Sequence, residues 1–435
     1  ILRFLCTYLG LPLSYKMRLP RVCLQALLDR VCNRLQPWIA RWITAVGRLV
    51  LVKSVLTSIP VYHSIAMQLP VWLIDGFEKR IRAFFWKGTD VVSGGHCLVA
   101  WEQVCKPFEY GGLGVLNLKL LGYAFRARWL WMQCTSDCCW SGLQPAVEPE
   151  VQAIFDSSIK VTLGDGRKAL FWTDFWLHGR FIQFEAPELF LAVNDGARRT
   201  RTVHEALADR AWIRDITGVL TVRVLTQFLM LTDLLLEVHL LPEIPDGIIW
   251  KWTPTEVYSA SSAYQVFFAG LERFPCGRAL WKTWAPAKCK LHFWLAMRRR
   301  IWMADRRLRH GLQSHVMCPL CEQEAETADH LALGCVFARE VWHSALARCG
   351  LGQLVPSMDV TLIEWWPASR AMTPKERRKG FDSLALLNVW MLWRERNSRV
   401  FERSAVDARE LYRHISDEVE LWKLSGAREL SDFWR

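Results

Sequence analysis

The sequence predicts a mainly α-helical chain with small β-hairpins, an α+β fold, and three observations carry that expectation. Apolar residues recur at helical spacing in both end regions, β-type patterns punctuated by glycine are confined to the middle, and one short stretch holds a full set of zinc ligands. Four blocks follow: a helical block over 1–135, an α+β region with hairpins over 150–277, a basic helix with a zinc-binding module over 278–350, and amphipathic C-terminal helices over 380–424.

Composition sets the outer limits. At 435 residues there is room for about three domains of ~150 residues each. With 51% hydrophobic residues and 24 Trp the chain is too apolar to stay disordered. The longest apolar stretch, Val219 to Leu241, is interrupted by Arg223, Asp233 and Glu237, so it reads as a buried helix rather than a span, and no membrane partner is expected. No secretory leader is visible, and a first residue that is not Met makes the chain read as a fragment. Its 14 Cys are irregularly scattered, unlike a disulfide framework. A reducing, intracellular compartment follows, with Cys6, Cys23, Cys32 and Cys105 as small core hydrophobes.

The net charge of +12 is unevenly placed. Residues 1–130 carry seventeen Lys and Arg against six Asp and Glu, and residues 278–310 carry ten against one, whereas 131–277 are acidic at twelve against eighteen. Two basic blocks flanking an acidic region point to a polyanionic partner, although a solvated basic face gives the same count.

In the first block, Trp38, Ile39, Trp42, Ile43, Val46, Leu49 and Val50 follow Pro37 at the spacing of an amphipathic helix, with Arg41 and Arg48 on another face as candidate phosphate contacts. A second helix is marked by Phe77, Ile81, Phe84 and Phe85 and stopped by Gly88. Gly111-Gly112-Leu113-Gly114 lacks the Lys-Ser/Thr of a phosphate loop and reads as a glycine turn. In the middle region a hairpin is expected from Val161-Thr162-Leu163 through Gly164-Asp165-Gly166 to Ala169–Trp176, and another from Ile248–Trp252 to Val257–Ser259, with a helix from Ser262. Trp172, Trp176, Trp250 and Trp252 read first as core packing and second as a base-stacking platform. A basic helix is expected from Leu280 to Leu308, displaying Arg298, Arg299, Arg300, Arg306, Arg307 and Arg309. Two amphipathic helices follow, at Phe381–Phe401 and Ala405–Lys423, the latter with Leu411, Ile415, Val419 and Trp422 on one face.

Cys318-x2-Cys321-x8-His330-x4-Cys335 is the most informative stretch. Three thiols and one imidazole complete a tetrahedral set for one Zn²⁺, and a filled set makes the ion structural, because a catalytic zinc keeps a place for water. Pro319 in the first turn and Gly334 before the last ligand suit tight backbone around a metal.

These pieces, in this order, resemble the C-terminal part of plant LINE-type, non-LTR retrotransposon reverse transcriptases. The matching residues are Tyr8-Leu9-Gly10-Leu11-Pro12-Leu13, Gly47-Arg48, Lys53-Ser54-Val55-Leu56, Ile59-Pro60-Val61-Tyr62, Phe84-Phe85-Trp86-Lys87-Gly88 and Gly111 to Val115. They continue through Gly164-Asp165-Gly166, Phe171-Trp172-Thr173-Asp174, Tyr258-Ser259, Ser262-Ala263-Tyr264, Trp284-Ala285-Pro286, the Cys318 to Cys335 set and Trp393-Arg394-Glu395-Arg396-Asn397. The resemblance implies a thumb-like first block after a polymerase palm, a reverse-transcriptase zinc-binding domain, and nuclear action beside a parent element. Where the family pattern has a glycine before the Tyr-Ser pair, this chain has Glu256. The family's Tyr-x-Asp-Asp metal site has no counterpart, since no two Asp are adjacent. Neither an upstream endonuclease nor an RNase H domain is expected within this chain.

The first functional reading is thus a non-catalytic fragment with no small-molecule substrate. It would bind one structural zinc through Cys318, Cys321, His330 and Cys335, and RNA or single-stranded DNA through Arg298, Arg299, Arg300, Arg306, Arg307, Arg309, Arg41 and Arg48. The alternative is a structural or protein-interaction remnant without a nucleic-acid role. A RING-type ligase fits less well, because that fold needs two metals and eight ligands.

Overall fold

A computed structural model describes residues 5–8, 11–14, 19–34, 42–89, 91–92, 94–135, 147–177, 179–312 and 315–434. The main elements begin with β1 (Leu5–Tyr8), β2 (Leu11–Ser14), α1 (Arg21–Arg34), α2 (Ala45–Leu51), α3 (Val71–Lys87), α4 (Leu118–Thr135), α5 (Pro149–Ser158) and β3 (Ile159–Thr162). They continue with α6 (Val222–Leu236), β4 (Gly247–Trp250), α7 (Ala260–Val266), α8 (Gly277–Lys282), α9 (Ala287–Met297) and α10 (Ala304–Arg309). The chain then forms α11 (Val336–Arg348), α12 (Leu362–Met372), α13 (Arg378–Asn397), α14 (Ala408–Leu424) and α15 (Arg428–Phe433). Helices predominate, and the strands pair as two antiparallel two-stranded sheets, β1 with β2 and β3 with β4.

The chain forms two compact units: Ile1–Tyr62 with Pro70–Asn117 and Gly270–Arg435, and His63–Leu69 with Leu118–Ala269. The first unit therefore joins the N-terminal helices to the metal-ligand segment and the C-terminal helices, an interleaving that the linear four-block division does not contain. Helix α4, read as the close of the first block, belongs to the second unit. There the Tyr258 hydroxyl donates to the Ala124 carbonyl of α4, and Arg126 pairs with Glu148 at 2.6 Å.

In the second unit the expected local hairpin is replaced by a long-range pairing. β3 runs against β4, Ile159 opposite Trp250 and Thr162 opposite Gly247, while Ala169–Trp176 forms no strand and meets β3 through the Phe175 carbonyl, which accepts the Val161 N–H at 3.1 Å. The cause is Asp246. Its Oδ1 accepts the N–H groups of Gly164 and Gly166 at 2.7 and 2.9 Å, and its Oδ2 those of Lys168 and Ala169 at 2.9 and 3.0 Å, so the glycine-rich turn wraps a carboxylate instead of reversing a strand. Residues 257–259 likewise form no strand; Trp250 N–H reaches the Glu256 carbonyl at 2.8 Å, and Glu256 takes the left-handed φ of 57° at the position where the family pattern has glycine. Helix α7 starts as expected, capped by Ser259, whose side chain accepts from the Ser262 N–H.

Trp172, Trp176 and Trp250 are core residues, 0%, 5% and 0% exposed, so they form no base-stacking platform, whereas Trp252, also read as core, is 46% exposed. Trp172 Nε1 donates to Asp215, which also takes the Arg201 guanidinium. Helix α6 is not buried all round. Val224, Leu231 and Leu235 pack inward, while Val222, Leu225, Leu229 and Leu236 stand exposed. No helix among the described residues is long and apolar enough to cross a membrane.

In the first unit, α2 begins at Ala45 with the Thr44 side chain accepting from the Gly47 N–H. The expected start after Pro37, with Trp38, Ile39 and Arg41, lies outside the described residues. Helix α3 follows the expected pattern, burying Phe77, Ile81, Phe84 and Phe85 and ending on Gly88 in the left-handed region. The continuous basic helix expected from Leu280 to Leu308 is instead α8, α9 and α10. Pro286 forces a fresh helix start, and Arg299 takes a φ of 53° that ends α9. Of the cysteines read as core, Cys105 is buried and Cys23 half-buried, and the side chains of Cys6 and Cys32 lie outside the description. In α14 Leu411, Ile415, Val419 and Trp422 form the buried face, as their spacing requires.

Asp246→Asn is expected to lower the stability of the second unit by about 2 kcal/mol or more, since an amide has one acceptor oxygen for four N–H donors and hydrogen bonds to charged groups contribute ~1.5–3 kcal/mol each. Chemical denaturation measures this. Burial acts to raise the Asp246 pKa, but the four backbone donors outweigh it and hold the group below its ordinary value. The stabilisation is therefore present above the unfolded-state pKa and is lost as pH falls through the lowered folded-state value, so the parent should lose its advantage over the variant in acid.

Candidate metal centre

The metal-ligand segment is a short loop closed by its own backbone. The Cys318 N–H donates to the Glu324 carbonyl and the Glu322 N–H to the Cys318 carbonyl, both at 2.8 Å, and Met317 bridges Ala325, which folds Cys318-Pro319-Leu320-Cys321 into a tight turn. Glu322 takes the left-handed φ of 56° that the turn requires. His330 and Cys335 come from the far side, at either end of a single wide helical turn, His330–Gly334. Gly334 is fixed by space, since a Cβ there would lie 2.6 Å from the Met358 carbonyl.

The donor atoms of Cys318, Cys321, His330 and Cys335 all lie within 4.8 Å of one another. Two sulfurs at ~2.3 Å from a tetrahedral ion stand about 3.8 Å apart. Here Cys318 Sγ and Cys335 Sγ are 3.9 Å apart, and Cys321 Sγ lies 3.4 Å from His330 Nε2. The donor set, its spacing and its near-complete burial fit Zn²⁺. Nδ1 of His330 lies 3.2 Å from a Glu324 carboxylate oxygen, which makes Nε2 the metal-facing nitrogen and Glu324 the group that fixes the ring. With four protein ligands and no open position, the centre can hold structure but offers no place for a reacting water. No second group of this kind occurs among the described residues.

The hydrogen bond with Cys335 pulls the Cys318 thiol down to about 4 and pushes Cys335 up, and hydrogen bonding to Cys318 raises His330 to about 9. Metal ligation needs thiolates and a neutral imidazole, so an incoming ion must displace the protons held by Cys335 and His330.

The C-terminal helices clasp this loop, a feature that sequence reasoning missed. Arg396 of α13 forms a bidentate pair with Glu326, Nη2 to Oε2 at 2.9 Å, with both side chains almost wholly buried. The same Glu326 oxygen accepts the Ala304 N–H at 2.8 Å. One turn on, Arg399 Nη1 donates to the Pro319 and Leu320 carbonyls inside the first ligand turn at 3.1 and 3.2 Å, while its Nε pairs with Glu395. Trp393-Arg394-Glu395-Arg396-Asn397 thus belongs to the support of the metal loop. The available signal was a charged run inside an apolar helix, since buried charges require partners.

The arginines singled out from the sequence divide sharply. Arg48 Nε donates to the Phe85 carbonyl at 3.0 Å and Nη1 to Ile43 at 3.2 Å, so it holds α2 against α3. Arg298 donates to the Gly111 carbonyl and lies over the Phe274 and Trp294 rings. Arg306 is buried, donates to the Arg300 carbonyl and stacks on Trp302 at 4.4 Å. The guanidinium groups of these three already hold backbone carbonyls or ring faces, which makes them ties within the fold. Arg299 and Arg309 are exposed but paired with Asp329 and Asp305, Arg300 is exposed, and Arg307 is half-buried. Arg41 lies outside the described residues. The Gly111 turn does not cradle phosphate, since the N–H groups of Gly111, Gly112 and Gly114 are taken by the Phe108, Pro107 and Lys106 carbonyls.

Comparison with known proteins agrees with this geometry. Residues 258–342 match the family described as zinc-binding in reverse transcriptase, and the match holds all four ligands. Over 353 residues the chain is 24% identical to an Arabidopsis thaliana protein named, provisionally, as a ribonuclease H protein, covering 73% of this chain and 54% of that protein. The chain thus spans about half the length of the curated relative it matches. The first comparison relates residues 258–342 to a reverse-transcriptase zinc-binding region, and the second relates most of the chain to a plant protein.

Purified protein is expected to contain one zinc per chain by elemental analysis, and Cys318→Ser to lose it. Glu324→Gln should keep the fold but weaken zinc ~10- to 100-fold, the usual effect of removing a ligand's hydrogen-bond partner, read by chelator competition. Because Cys335 and His330 must give up protons, apparent zinc affinity should fall as pH is lowered.

Proposed function

We propose that this chain is a non-catalytic part of a retroelement reverse transcriptase, a zinc-held module that binds RNA or single-stranded DNA through the exposed cations beside its metal loop. The observation that carries the reading is the four-ligand centre, which supports a structural role for the ion and directly follows a segment, residues 278–310, where ten Lys and Arg meet one Asp. Of the six arginines of this segment read as backbone contacts, the exposed Arg299, Arg300 and Arg309 are the ones left to phosphate once Arg298 and Arg306 are held internally. Arg299 and Arg309 would exchange surface carboxylate partners for phosphate, a small cost, since exposed ion pairs contribute only ~0–1 kcal/mol. Such contacts position a strand without reading its sequence. Action in the nucleus beside a parent polymerase belongs to the same proposal.

The exposed apolar face of α6, with Val222, Leu225, Leu229 and Leu236, favours the second reading, a protein-interaction module. The name of the Arabidopsis relative raises ribonuclease H activity. That activity is assigned here to no residue, and the only converging ligand group among the described residues is the Cys and His set.

A labelled single strand should bind with a log-log salt slope of about −2, three phosphates at ~0.7 each on a single strand. The triple variant Arg299→Ala, Arg300→Ala, Arg309→Ala should flatten most of that slope similarly for all sequences. Retention of the parent's slope by a folded, zinc-loaded triple variant refutes the assignment, and absence of strand binding favours the protein-interaction reading. Primer extension by the isolated chain should stay at background, since two-metal nucleotidyl transfer needs bridging carboxylates.

A further inference from the structure

A cavity of about 530 Å³ opens in the first unit between α9, α10 and the C-terminal end of α13. Its volume falls within the ~300–1,000 Å³ typical of ligand sites. Four aromatic side chains, Trp302, Trp390, Trp393 and Phe401, line it beside aliphatic ones such as Leu291, Leu295 and Ile301, and of the aromatics Trp302 is 38% and Phe401 66% exposed. Lys288 and Arg307 contribute cations, and no Asp or Glu among the described residues lines it. Lys288 is exposed, lies 5.5 Å from the Trp390 ring centre and forms no ion pair among the described residues.

His292 sits in the same wall, 7% exposed, its ring 4.8 Å from that of Trp393 and 5.4 Å from that of Trp390. Its Nε2 has no hydrogen-bond partner among the described residues. Burial drives its pKa down to about 3, so the imidazole is neutral and adds no charge. An unpaired buried nitrogen costs free energy that an occupant with donors or acceptors at its edge can recover.

Each feature narrows the occupant. Cations without carboxylates exclude a positively charged ligand, flat indole walls favour a planar π-system over an aliphatic chain, and an orphan imidazole nitrogen asks for a polar edge. We propose that this cavity receives one unpaired base of a single-stranded nucleic acid, stacked against Trp302 and Phe401, with its phosphate at Lys288 and Arg307. The proposal rests on the nucleic-acid reading above but names a different set of residues, and adds base contact to a surface otherwise limited to phosphate.

The test compares a homopolymeric single strand, an abasic phosphodiester strand of equal length, and the matching free nucleoside monophosphate, against the zinc-loaded full chain. The parent should bind the base-bearing strand more tightly than the abasic one, and the monophosphate should compete only weakly. Trp302→Ala should lower affinity for the base-bearing strand about 5- to 150-fold, the equivalent of ~1–3 kcal/mol per stacked base, and leave the abasic strand unchanged. Phe401→Ala, at a more exposed position, repeats the test if loss of Trp302 disturbs Arg306. Lys288→Gln should weaken both strands and flatten the salt slope by about 0.7. If both strands bind the parent equally and the aromatic variants change nothing, the base pocket is refuted while phosphate binding stands. A monophosphate that binds as tightly as the strand replaces the strand with a small nucleotide and overturns the proposal. No binding of any strand removes both readings together.

Discussion

The metal loop depends on one buried ion pair. Arg396 and Glu326 are almost wholly shielded from water, and such a pair is tolerable only when every polar atom finds a partner. Here the two Glu326 oxygens take three donors, Arg396 Nε and Nη2 and the Ala304 N–H, while Arg396 Nη1 reaches Asn397. Removing either charge would strand the other, an effect of about 3–5 kcal/mol for buried pairs. Glu326 lies between the second and third zinc ligands, so the pair decides where the two halves of the ligand set meet. The ion then closes an arrangement already oriented by Arg396 of α13 and by Arg399 in the turn that follows it.

Much of the site was legible because its chemistry is local. Cys318 and Cys321 must share a turn at their spacing, and a Cys or His within the next fifteen or so residues can return to it with little loop-closure cost. Gly334 announced a close backbone approach, and the Met358 carbonyl supplies it. Local rules also found α3, with Gly88 at its end, and the buried face of α14. The pairing of β3 with β4 was not legible in the same way. Val161 and Thr162 carry strand propensity but no mark of their partner, and a nearby glycine turn looked like a hairpin because nothing in Gly164-Asp165-Gly166 reveals that Asp246 will occupy its N–H groups.

The arginines show a different limit. A dense basic run reads as a surface, since Arg is seldom fully buried. Yet the guanidinium group, with five donors in a rigid fork, is well suited to gather backbone carbonyls where chain segments meet. Arg48, Arg298, Arg306 and Arg399 each do this. Arg299, Arg300 and Arg309, by contrast, sit where α9 has ended or on the outer face of α10, and the neighbours of Arg298 and Arg306 in the chain are themselves charged, so nothing in the run separates the two groups. Charge counted by segment therefore overstated the cations available to a partner.

The same turns of α13 serve two purposes because of helix geometry. Residues three and four apart share a face, so Trp390, Trp393, Arg396 and Asn397 look the same way, toward the aromatic cavity, and all four line it. Arg396 is the member whose charged end continues past that wall to Glu326. Glu395 stands on the neighbouring face and pairs with Arg399 four residues on, just past the end of α13, which in turn donates to the ligand turn. A helix that carried only Leu and Ala at these positions could still pack on α9, but it would neither fix the loop of Cys318 to Cys335 nor wall a cavity with indole rings. The placement of charge within an otherwise apolar helix is thus what joins the metal loop to the cavity beside it.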